Sequence, residues 1–390
     1  MAAEVRTAGP RKSGAARKNG RDAGPAGLEG KRRGVFASAL ALVVLASALL
    51  LSVVLACGVG SFPVTPGQTL RALLQATGLH AGAPVDESLA VVVVDIRLAR
   101  VLLAGLTGAA LSVAGAAFQG VLRNPLADAF TLGVSGGAAF GASLAILSGV
   151  AGAAALAGDA RILPACALLG ALGALALVLV LARAGGGPLS GLRRETLVLA
   201  GIVVSTFLSA LISLLKSLDE ESVSSIVFWI MGSFQGRGFE HAALAWPYML
   251  LGAGIVFWRA RELDLLSLGE TQARMLGLEA GRSRLWLLLG ASLLSGASVA
   301  VSGVIGFVGL VVPHLARLGL GAGHRRLLPA SALLGALLLI WSDVLARTAL
   351  PRGAELPVGV VTALVGGPFF CLLLARRGLA GAKAGREDAP

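Results

Sequence analysis

Long stretches without a single charge limit what this chain can fold into. Residues 35–59, 101–122, 129–158, 162–182, 196–215 and 356–375 are such runs, and each reaches the roughly 20 residues that cross about 30 Å of hydrocarbon. Shorter runs at 242–258 and 327–342 suffice if flanking charged side chains snorkel. The run at 285–313 is interrupted by Ser295, Gly296, Ser302, Gly303 and Gly306. It fits one tilted helix or two packed spans; counted as two, it brings the expected total to ten. Residues 222–236 ("SVSSIVFWIMGSFQG") are then a non-spanning or re-entrant piece. The expected fold class is all-α and polytopic, since helices satisfy their own backbone in lipid. The first run exceeds a 7–15-residue signal core and "ACGVGSF" is a weak cleavage site, so it reads as a retained span.

Charged residues are 14% of the chain and glycines number 54, against about 25% charge and about 7% glycine in soluble proteins. That profile suits packed membrane helices, whose small residues let backbones approach. One membrane domain is expected over 35–376, between cytoplasmic tails at 1–34 and 377–390. With the N-terminus inside and ten spans, 25 Lys/Arg lie inside. The 8 outside are Arg71, Arg97, Arg100, Arg161, Lys216, Arg237, Arg347 and Arg352. The bias survives removal of both tails, 12 to 8, so both termini are expected in the cytoplasm. The net charge of +12 is thus a matter of topology, with no nucleic-acid partner. The basic tail has no apolar period and is expected to be disordered against anionic lipid.

Cys57, Cys166 and Cys371 fall in apolar runs without paired spacing and read as small core residues. His80 and His241 are placed in outer loops, while His314 and His324 flank an inner one; no two have zinc spacing. No phosphate-binding loop, HExxH or CxxC occurs, so neither metal, bound cofactor nor enzyme activity is expected.

Four polar exceptions remain. In "AAFQGVLRNPLADAFTLGVSGGAAFGA", Pro125 pushes Asn124 out of helical geometry and ends a helix. Asn124 and Asp128 can bond the freed backbone. The segment is either a plain helix–turn–helix or part of a pathway lining. In "RELDLLSLGETQARMLGLEAGRSR", Ser267 and Glu270 form a capping box, so a helix should start at Leu268 and end at a left-handed Gly277. Leu268, Met275 and Leu276 would give it an apolar face suited to docking a partner. In "VGLVVPHLARLGLGAGHRR", Pro313 and His314 are expected to end a span. Arg97 and Arg100 form an outer basic patch, and Asp343 and Arg347 have the spacing of an intrahelical ion pair.

The stretches "IRLARVLLAGLTGAALSVAGAAFQGVLRNPLADAFTLGVSGGAAFGA", "FWIMGSF", "LSLGETQARMLGL", "SGVIGFVGLVVPHLARLGLGAGHRRLLP" and "ELPVGVVTALVGGPFF" resemble the FecCD/BtuC-type permeases of binding-protein-dependent ABC importers. These carry iron–siderophores, haem or cobalamin. One departure is Ala99, where that family usually has proline; another is the long basic N-terminal tail. The resemblance implies ten helices, a homodimer or pseudodimer with an axial pathway, two cytoplasmic ATPase subunits that use ATP and magnesium, and an extracytoplasmic binding protein. Carried onto this chain, Leu268, Gly269, Glu270, Ala273, Leu276 and Gly277 belong to the ATPase-coupling helices. Arg97, Arg100 and Arg347 match arginines that meet the binding protein. Ser205, Thr206 and Ser209 would line the pathway, with Asn124 and Pro125 in its inner turn. Alternating access with an iron–siderophore cargo is the expectation; haem or cobalamin is the alternative. An ion-coupled transporter is the rival class, and it needs an acid near mid-membrane. Only Asp343 comes close.

Overall fold

The structure, a computed structural model, describes residues 25–60, 62–78, 85–186 and 192–387. It divides into two units, Met1–Ala41 and Leu42–Pro390, the second carrying the candidate site. The described residues are helical, with no strand among them.

The helices follow the apolar runs. In order they are α1 (Pro25–Gly58), α2 (Pro66–Ala76), α3 (Glu87–Ala90), a π-helical stretch (Val91–Leu98), α4 (Ala99–Leu122), α5 (Val134–Leu147) and α6 (Val150–Leu156). Next come α7 (Ile162–Gly186), α8 (Arg194–Leu218), α9 (Glu220–Ile230), α10 (Phe239–Trp258), α11 (Ala260–Leu268) and α12 (Glu270–Met275). The last are α13 (Ala280–Ser302), α14 (Val308–Leu320), α15 (His324–Thr348) and α16 (Val358–Glu387). Among the described residues, six helices are long and apolar enough to span a membrane, or seven if α5 and α6, bent by 69°, form one broken span. Length and composition therefore do not reach ten by themselves. The 285–313 run does split in two, α13 and α14, and residues 222–236 hold the short α9 rather than a span.

Three expectations about local structure change. Of the tail expected to be disordered, residues 1–24 lie outside the described residues, while 25–34 extend α1. Adding turns to an existing helix avoids the cost of nucleation, and Pro25 suits a first helical position. α16 continues to Glu387, through most of the expected tail at 377–390. Pro313 and His314 do not end a span: α14 runs through both. Ala99 shows why the missing proline matters. Its N–H bonds to Val94 and Ile96 carbonyls, continuing one helix from the π-stretch into α4; proline has no such donor.

α4 sits at the centre, buried along nearly its whole length, and packs on α15, α13, α14 and α10. Its approach to α15 is set by glycine. A Cβ on Gly335 would lie 2.0 Å from Ser112 Oγ and 2.3 Å from the Gly108 carbonyl oxygen. Such contacts need small residues.

Cys57 is buried and Cys166 half-buried, but Cys371 is exposed, so the core reading fails at Cys371. His241 lies in the first turn of α10, not in a loop, and His80 lies outside the described residues.

Candidate functional site

The turn after α4 is built by its polar residues. α4 ends at Leu122, and Arg123 takes left-handed geometry (φ 51°). Asn124 Oδ1 accepts from the Leu126 N–H at 2.9 Å. The Asp128 carboxylate accepts from the N–H groups of Phe130 and Thr131, both at 3.1 Å. Asp128 thus caps the turn that leads into α5. Burial raises its carboxyl to about 6, against the lowering effect of the Thr131 and Phe130 bonds. Pro125 lines a cavity of about 460 Å³ with Arg123, Ser267, Arg317 and His324.

α11 and α12 meet at an elbow beside this turn. Gly269, at φ 120° and ψ 156°, separates them and adopts geometry that side chains rarely tolerate. The expected capping box is absent. Ser267 Oγ donates to the Asp264 carbonyl, and α12 starts at Glu270 behind a glycine N-cap. The apolar face is present: Leu268, Met275 and Leu276 are 54%, 81% and 60% exposed, while Ala273 is fully buried. Gly277 follows in left-handed geometry (φ 82°). Glu270 is held by Arg274 at 2.6 Å and Arg284 at 2.8 Å. Partial burial would raise its carboxyl, but the Arg284 bond and charge, with Arg274, outweigh it and hold it below the usual range.

α8 buries one stripe, Leu197, Gly201, Val204, Leu208 and Ile212. Ser205 and Ser209 line a cavity of about 300 Å³ with Phe130, Ser135, Ser213 and Lys216. The Ser205 hydroxyl donates to the Phe130 carbonyl at 2.9 Å, tying α8 to the turn after α4. Thr206 lies on the exposed side of α8 and is not among the residues lining that cavity.

Arg97, Arg100 and Arg347 do not form a surface patch: they are 5%, 8% and 8% exposed. Arg97 donates to the carbonyls of Cys57, Gly58 and Phe62 at 2.6–3.2 Å, and Arg347 to that of Ala56 at 2.7 Å. Ala56, Cys57 and Gly58 end α1, where carbonyls lack intrahelical partners and cations are favoured. Arg100 grips Asp343 at 2.8–3.0 Å and Glu355 at 2.8–3.0 Å. The expected Asp343–Arg347 pair exists, at 3.8 Å, but is secondary.

Gln119 was not singled out by the sequence. Pro313 cannot donate to the Gly309 carbonyl one turn earlier, and Gln119 Nε2 fills that role at 3.1 Å. Its Oε1 accepts from Arg317. α4 thereby repairs the proline site in α14, which explains why α14 continues. A buried amide inside the charge-free run 101–122 was the available signal. No cluster of three metal-ligating side chains occurs among the described residues.

Residues 48–376 match the FecCD transport family. The chain is 44% identical over 286 residues to an uncharacterized ABC transporter permease, YvrB, of Bacillus subtilis, covering 73% of this chain and 79% of that one. It is 41% identical over 284 residues to the hemin transport permease HmuU of Yersinia pestis (73% and 83%). It is 38% identical over 302 residues to the cobalamin import permease BtuC of Halobacterium salinarum (77% and 78%). A solved inward-facing structure assigned to the metal-chelate type of ABC transporter superposes with a TM-score of 0.72 at 34% identity, covering 86% of this chain and 98% of that one.

Proposed function

Because the chain belongs to the FecCD transport family and is a permease of the ABC importers for iron chelates, haem or cobalamin, we propose that it carries a ferric siderophore into the cytoplasm by alternating access. ATP is hydrolysed in separate cytoplasmic subunits, and an extracytoplasmic binding protein delivers the cargo. Both termini and the 261–284 loop face the cytoplasm of a cell bounded by the membrane the chain spans, as the basic-residue bias requires.

The observation that carries this reading is the α11–α12 elbow. A charged segment exposing Leu268, Met275 and Leu276 together has the character of a docking element. The cavity beside α8 supplies serine hydroxyls and one lysine, a lining that passes a bulky chelate by weak contacts. The exposed side of α8, with Leu199, Ile202, Val203 and Phe207, suits a second copy across the pathway. Ion coupling is disfavoured because Asp343, the acid it needs, is committed to Arg100. Iron is favoured over cobalamin because named relatives include permeases for Fe(3+)-citrate and iron chelatin.

The test is uptake into proteoliposomes holding the permease with its ATPase subunit, supplied with binding protein. Ferric siderophore should enter only with ATP inside the compartment that the ATPase faces. Entry of haem or cobalamin in its place would replace the cargo. Uptake driven by an ion gradient without ATP would overturn the mechanism.

A further inference from the structure

Arg284 is the fifth residue of α13 and is 4% exposed. Its Nη2 donates to Glu270 Oε2 at 2.8 Å, and Glu270 is the first residue of α12. Its Nη1 donates to the Leu192 carbonyl. Leu192 is itself buried and lies two residues before α8 begins. One guanidinium therefore joins three elements: the elbow, the base of α13, and the start of the helix that carries Ser205 and Ser209. A buried guanidinium is held by the partners it has. Arg284 Nε has none, so its polar anchoring runs to α12 and to the lead-in of α8. Glu270 is fixed from its other side by Arg274, so the carboxylate travels with α12.

We infer that Arg284 is the positioning residue that passes displacement of the α12 elbow directly to the start of α8. This rests on the elbow being the ATPase contact proposed above. The contacts form a contiguous chain of hydrogen bonds, the physical route along which two elements can be coupled. Lysine keeps the charge but lacks the planar fork, so it cannot hold a carboxylate and a carbonyl in the same geometry.

The test compares wild type, R284K and E270Q in the assembled importer, with and without ATP trapped in the ATPase subunits. Hydrogen exchange is read over 270–276 and over 192–200. In wild type, trapping ATP should change exchange in both segments. In R284K the change at 270–276 should persist and that at 192–200 should be lost. Cargo moved per ATP should fall about fivefold, in the range of single-residue effects on coupling. E270Q keeps an acceptor without the charge and should fall between the two; it carries the same test if R284K does not assemble. A change at 192–200 that persists in both variants would overturn the relay alone. No ATP-dependent change at 270–276 in wild type would remove the elbow as ATPase contact, and this inference with it.

Discussion

At the scale of single residues, the buried charges separate structure from docking. Asp343 is completely buried and Arg100 nearly so, with Glu355 closing the other side of the guanidinium. Removing one member of such a group strands the rest, at a cost of about 3–5 kcal/mol. Arg100→Met should therefore lower the thermal midpoint of the purified permease sharply. Asp343→Asn should lower it less, because Arg100 keeps Glu355. If Arg100→Met melts with wild type but no longer binds the extracytoplasmic binding protein, Arg100 serves docking after all. None of this packing was legible locally. Asp343 and Arg347 are four apart and read as each other's partners, whereas the closer partner of Asp343 lies 243 positions away. The arginines were visible as polar exceptions; that two of them cap the end of α1 depends on how the chain returns past it.

At the scale of elements, the apolar runs predicted helices well because a charge-free run of that length has few other stable states in lipid. Their ends were read less well. Ser267 and Glu270 have capping-box spacing, yet Gly269 between them opens to φ 120° and gives Ser267 to the preceding helix. Pro313 reads as a stop, yet Gln119 on another helix supplies the lost bond. Both outcomes turn on partners that sequence spacing does not contain. The glycine content was informative in kind, and the packing of α4 on α15 gives it a location. Gly335→Ala places a Cβ 2.3 Å from the Gly108 carbonyl oxygen, so the helices must separate, at about 1–3 kcal/mol for overpacking. Gly254→Ala in α10 meets nothing within 4 Å and should instead gain about 0.5–1 kcal/mol from helix propensity. Opposite shifts in thermal midpoint are expected for the two variants. Equal shifts would mean that the α4–α15 contact is not as close as described.

At the scale of the whole molecule, orientation and coupling meet in one side chain. The orientation proposed from the basic bias has residues 259–284 in the cytoplasm, and Met275 is the most exposed apolar side chain of the elbow, at 81%. In a background with Cys166 and Cys371 changed to serine, Met275→Cys offers a single accessible thiol, because Cys57 is buried. A membrane-impermeant maleimide should label it in inside-out vesicles and leave it untouched in right-side-out ones. Adding the ATPase subunit to inside-out vesicles should slow labelling, since docking on Leu268, Met275 and Leu276 covers the thiol. Labelling from the outer side would invert the topology and move the coupling surface elsewhere. Cytoplasmic labelling that the ATPase subunit leaves unchanged would keep the topology and release the elbow from its docking role. The two halves of the proposal thus fail separately, because charge bias argues only for the side on which the elbow lies, while the exposed apolar face argues for what covers it there.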